Sequence, residues 1–96
     1  MPSVADLVAP DALAARAGEY LQRAGEVLRS SGQVRLIAFT ESRITGEVSD
    51  GGERHEVELA AAGDDLSARC DCPTGRAGTF CPHAAAVAIE ASHRAR

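Results

Sequence analysis

Lysine is absent from this chain, tryptophan is absent too, and aromatics are limited to Tyr20, Phe39 and Phe80. Without lysine there is no Walker A loop, no kinase-type strand lysine and no Schiff-base chemistry. The three aromatics read as packing residues, which leaves no stacking platform for single-stranded bases. No apolar run approaches the roughly 20 residues of a membrane span. Residues 1–10 lack the basic start and long apolar stretch of a signal peptide. The compartment this implies is reducing cytoplasm, where thiols stay available for metal. The redox C-x-x-C pair is missing, and so is the H-x-E…P-C-x-x-C pattern of zinc deaminases.

Alanine is what the chain has in excess. Hydrophobic residues make up 45 % of the 96 positions, but 19 of them are alanine. Alanine buries little area, so the core is lean for its length, and a small domain with a lean core calls for a staple. The net charge of −4 is unevenly spread. Residues 1–65 hold six arginines against twelve acids; residues 66–96 hold four arginines against two. The C-terminal third is mildly basic within an acidic whole, well short of a phosphate-neutralising domain.

Residues 1–10 read as a flexible leader and residues 11–96 as a single module. Asp11 stands as a helix cap after Pro10. From Asp11 to Arg29, Leu13, Ala17, Tyr20, Leu21, Ala24, Val27 and Leu28 recur at helical spacing. Gly18 and Gly25 each weaken that helix by about 1 kcal/mol relative to alanine, and Gly32 suits a left-handed C-cap. Four strand-like segments follow: Val34–Thr40, Ile44–Val48, Arg54–Leu59 and one ending in Leu66, Ala68 and Cys70. Asp50-Gly51-Gly52 and Gly63-Asp64-Asp65 mark turns between them. Val34–Thr40 is apolar on both sides, which predicts a central strand, with an exposed partner-binding patch as the alternative. Pro82–Arg96 is alanine-rich and helical. The expected fold class is α+β: an N-terminal helix, an antiparallel four-stranded β meander, a zinc loop and a C-terminal helix. Leu36, Ile44, Val57, Leu59 and Leu66 would line the inner face of the sheet, with both helices near it.

Every cysteine falls within twelve residues, in the pattern Cys70-x-Cys72, eight residues, Cys81-Pro82-His83. Residues i and i+2 of a strand face one side, so Cys70 and Cys72 can address one ion. Pro82 suits a first helical turn, which puts Cys81 at the cap, where a helix dipole favours a thiolate, and His83 just beyond. Three thiolates and one imidazole make a closed tetrahedral Cys₃His set for one Zn²⁺, with no position left for a reactive water; the metal therefore reads as structural and the chain as no enzyme. Disulfides fit poorly, since three is odd and C-x-C pairs bridge only with strain.

These residues resemble the SWIM zinc-finger family, whose C-x-C…C-x-H motif is unusual among zinc sites. The proline after Cys72, the alanines after His83 and the upstream helix and β meander are similar as well, from about Ala14 to Ile89. The resemblance implies that Cys70, Cys72, Cys81 and His83 are the ligands and that the module binds DNA or protein. SWIM modules occur within helicase-like remodelling ATPases, Mutator-type transposases and some kinase-linked ligases. Pro82 stands where a basic residue is common in the family.

Around this motif, Asp71 faces water or, as the alternative, accepts the second N–H of a zinc-bound histidine. Arg69 and Arg76 flank the metal, either balancing the net −1 of the centre or contacting a partner's phosphate. His55 reads as a strand histidine with a local hydrogen bond, and His93 as a cation near a helix C-terminus. A protein partner is favoured over DNA, with no membrane and no small-molecule substrate expected.

Overall fold

The computed structural model describes residues 4–63, 65–76 and 80–94. Asp64 and Arg96, which the sequence reading used, lie outside them. The order of elements is α1 (Val4–Leu7), α2 (Pro10–Ser30), β1 (Val34–Phe39), β2 (Arg43–Asp50), β3 (Glu53–Ala62), β4 (Asp65–Cys70), α3 (Pro73–Arg76) and α4 (Pro82–Arg94). The strands form one antiparallel sheet in the order β1-β2-β3-β4. The α+β meander expected from the pattern is the fold.

Period-two alternation places Ile44 and Val48, Val57 and Leu59, and Leu66 and Cys70 on one buried face, with Leu36 half-buried beside them. Gly51 and Gly52, at φ +61° and +86°, turn β2 into β3 and pair Asp50 with Glu53. This positive-φ dipeptide is what a two-residue hairpin needs. At the end of α2, Gly32 N–H donates to Arg29 O and Gln33 N–H to Leu28 O. With Gly32 at φ +74° this is a Schellman stop.

Four expectations need correction. First, β1 is an edge strand, with Ile37 55 % exposed. A register shift between Leu36 and Ala38 leaves Ile37 bulged out of the ladder. Phe39 then pairs with Ile44 and lies on the same side as Leu36, because an extra residue reverses the alternation. Second, part of the expected leader belongs to the core: Val4, Leu7 and Val8 are buried, and Val4 N–H donates to Glu41 O in the β1–β2 loop. Val4, Leu7 and Val8 stand at i, i+3 and i+4, a helical spacing cut off by Pro10 after a run too short to stand out as an element. Third, α2 begins at Pro10 with Ala9 as its cap, and Asp11 sits in the first turn without a capping bond. Gly18, at φ +82° and ψ 163°, breaks the helix into two arms. Fourth, Tyr20 is 82 % exposed, because the arm after Gly18 turns a face containing Gly25 inward and leaves Tyr20 and Val27 outside. Replacing Leu13, which is 1 % exposed, with Ala should therefore cost about 2–5 kcal/mol. Tyr20→Ala should change stability by no more than about 0.5 kcal/mol. Urea titration of the two variants will measure the contrast.

The layering follows from alanine. Rather than both helices lying on the sheet, α4 touches all four strands while α2 packs chiefly on α4. A helix in the middle layer must be apolar all round, and Ala84–Ile89 and Ala91 are buried. Small residues set the spacing on both sides. A Cβ on Gly25 would lie 2.8 Å from backbone atoms of Ala85 and Ala86, and one on Gly46 would lie 3.1 Å from Val87. The sheet below and α2 above thereby hold the first turn of α4 in place.

Candidate metal centre

Cys70 is the last residue of β4, Cys72 follows the bend after it, and Cys81 and His83 frame the start of α4. The ligand atoms of these four residues all lie within 4.8 Å of one another, and every one of the residues is buried, at 7 % exposure or less. Cys70 Sγ is 3.7 Å from Nδ1 of His83. Metal bonds of about 2.3 Å to sulfur and 2.0–2.1 Å to nitrogen put such a pair about 3.6 Å apart across a tetrahedral edge. The donor set and its spacing fit a metal ion.

Cys81 occupies the cap of α4 as its spacing to Pro82 implied. Its carbonyl accepts from Ala85 N–H at 3.0 Å and its Sγ from Ala84 N–H at 3.4 Å. Pro82 at the first helical position has no N–H to satisfy. In the loop, Arg76 N–H donates to Cys72 O at 2.9 Å, closing the single turn of α3.

The thiols are costly to ionise without a cation between them. Burial pushes Cys70 up to about 12, partly opposed by the Cys72 backbone N–H and reinforced by Cys81. Burial raises Cys81 as well, with the Ala84 N–H pulling the other way. A divalent ion reverses this preference, since a coordinated thiol is deprotonated.

His83 presents Nδ1 to the cluster because Nε2–H is engaged, donating to Asp50 Oδ2 at 2.9 Å. Burial lowers the pKa of this ring, but the hydrogen bonds to Asp50 and Cys72 outweigh it and the net shift is upward. Asp50 is thus the carboxylate that orients the ligand histidine. Asp71, the sequence's candidate for that role beside a water-facing reading, instead accepts from His55 Nδ1 at 2.8 Å and from Glu56 N–H at 3.3 Å. The His55 bond holds its carboxyl below the usual range, against the opposing effect of burial. The ring of His55 stacks on that of His83 at 4.2 Å between centroids and 23° between planes. Two histidine–carboxylate pairs therefore lie face to face. Asp50 had been read only as a turn residue; it lies 33 positions from His83, and only the hairpin tip reaching over α4 reveals the pair. Arg69 and Arg76 are exposed and line a cleft of about 470 Å³ with Cys70 and Asp71. His93 is exposed on the last turn of α4.

Compared with known proteins, the chain matches no family model, no curated protein and no solved structure. The centre is therefore read from its own chemistry: four buried donors, three of them sulfur, closed around one point and suited to a structural metal. No helix is long and apolar enough to cross a membrane among the described residues. Asp50→Ala should weaken metal affinity by about 10–100-fold through loss of the His83 orienter. Asp71→Ala should leave the affinity of this centre within a few-fold, since that carboxylate is bonded to His55 and not to His83. Competition with a chromophoric chelator measures both.

Proposed function

We propose that the chain is a SWIM-like, non-catalytic module in which one structural Zn²⁺ on Cys70, Cys72, Cys81 and His83 ties β4 to α4, and that the resulting surface binds a protein partner. The observation that carries the reading is the burial of all four donors in a closed Cys₃His set. A metal held by four protein ligands has no open position at which to activate water or polarise a substrate. Three thiolates favour zinc among the common cytosolic divalent ions.

The distribution of charge supports a protein partner over nucleic acid. Arg94 pairs with Glu90 at 3.1 Å, Arg54 with Glu47 at 3.3 Å and Arg43 with Glu58 at 3.9 Å, so cations are interleaved with acids. Three thiolates and one Zn²⁺ shift the net charge from −4 to about −5. Non-specific affinity for phosphate needs clustered cations. The bulged β1 edge meanwhile presents Ile37 and Phe39 to solvent, the kind of apolar exposure found where proteins meet.

A salt titration of labelled duplex and single-stranded DNA against the metal-loaded chain tests the preference. The expected result is no binding at micromolar protein in roughly physiological salt. Binding in that range, weakened by Arg76→Ala, would replace the protein partner with DNA.

A further inference from the structure

We propose that His55, Asp71 and the Cys70 thiolate form a second, more weakly held site for a divalent cation of borderline softness, joined to the first ion through the Cys70 sulfur. The inference rests on the reading of Cys70, Cys72, Cys81 and His83 as a metal centre, because it shares one ligand with it. An imidazole nitrogen of His55, Cys70 Sγ and an Asp71 oxygen all lie within 4.8 Å of one another.

The register of the sheet creates this cluster. Val57 pairs with Cys70, so His55, two residues earlier on β3, shares the inner face and lies diagonally across from the cysteine. Asp71 follows Cys70 and doubles back onto β3, its N–H donating to Glu56 O and its carboxylate taking the His55 Nδ1 proton at 2.8 Å. Stacking on His83 fixes the His55 ring beside the thiolate. Cys70 Sγ is thus shared by the first centre and the His55–Asp71 pair.

Charge favours a cation there. A Zn²⁺ with three thiolates leaves a net −1, and Asp71 adds another negative charge. Glu53 Oε2 stands 3.7 Å from His55 Nε2. Nitrogen, oxygen and a bridging sulfur suit zinc, cobalt or cadmium, and three protein donors leave a fourth position to water, unlike the first centre. On binding, the proton between His55 and Asp71 passes to solvent. The Asp71 side chain is 46 % exposed and that of His55 15 %, so a cation reaches the pair from the solvent side while Cys70 stays buried. Arg76 lies close enough to act on the Asp71 carboxylate, and its charge opposes a second cation, which therefore binds more weakly than the first.

Cadmium NMR on the full chain tests the proposal. The first equivalent should give one resonance from the sulfur-rich centre. Excess cadmium should add a second resonance, scalar-coupled to the first through the shared sulfur. His55→Ala and Asp71→Asn should each abolish the second signal and keep the first, and the retained first signal shows that both variants fold. A titration that ends at one resonance, or a second resonance that survives both substitutions, overturns the second site and leaves the first intact. Absence of the first resonance in the unsubstituted chain overturns the metal centre itself.

Discussion

Removing the metal will strip amide protection from Cys70 to His83 and lower the melting temperature by about 20 °C or more. The loop between β4 and α4 covers residues 71–81. Its described backbone bonds are the single α3 turn from Arg76 to Cys72, the contact of Asp71 with Glu56 and the bond from Ala85 N–H to Cys81 O. Apparent binding free energies for structural zinc in finger peptides are roughly 10–16 kcal/mol, against roughly 5–15 kcal/mol for the whole stability of a domain. Even about 4 kcal/mol of that, at about 4–8 °C per kcal/mol for a domain of this size, gives the stated shift. The later turns of α4 should keep more protection than the loop, because Val87, Ile89 and Ala91 are packed between α2 and the sheet whether or not metal is bound. Hydrogen exchange with and without a chelator, on samples whose metal content is measured, decides the matter. Unchanged protection between Cys70 and His83 after verified removal would falsify the stapling role.

With the proposed metal bound, the same centre should set the acid limit of the fold. In the metal-free chain Cys70 titrates at about 12, Cys81 is also raised, and His83 lies above its usual value. Metal binding must displace these protons, so protons and metal compete. For His83 alone the raised pKa favours the metal-free fold below the unfolded pKa, and that contribution fades as pH rises through the folded value. The metal's contribution has the opposite sign: it is present at neutral pH and lost on acidification. Affinity should fall by at least about tenfold per pH unit below neutrality, since more than one proton is exchanged.

Gly25→Ala will destabilise the protein by about 1–3 kcal/mol, although helix propensity alone argues for a gain of about 1 kcal/mol. Propensity loses because the new methyl group would sit 2.8 Å from the Ala85 carbonyl carbon, the Ala85 Cβ and the Ala86 nitrogen. Two of those three atoms are backbone, so no rotamer change relieves the contact and α2 must move away from α4. Gly25→Val should be worse. Metal affinity should drop with stability, because Ala85 N–H is bonded to Cys81 O and any shift of that turn moves a ligand. Thermal melts of both variants, together with chelator competition, measure the two effects. A Gly25→Ala protein that melts at or above the parent temperature would show that the helices do not approach this closely.

What depends on near neighbours is legible in the chain itself. The C-x-C and C-P-H spacings gather four donors because strand alternation and a helix cap act over two or three residues. Gly32 and the Gly51-Gly52 pair stop and turn the chain because only glycine takes those backbone angles freely. Alternation in β2, β3 and β4 set which face is buried, and with short turns it implied the meander. Only the tertiary structure decided what rests on distant partners. Asp50 meets His83 across 33 positions, and Asp71 meets His55 instead of the ligand histidine. Val4 and Val8 enter the core although their helical spacing spans too few residues to mark an element. The bulge at Ile37 reversed the alternation that β1 appeared to have and left it at the edge. Gly25, a weak point by propensity, proved to be where α2 closes on α4. Local torsional and spacing preferences are written in adjacent residues, whereas a contact between remote elements is selected by the packing of the whole chain and leaves no mark at either position.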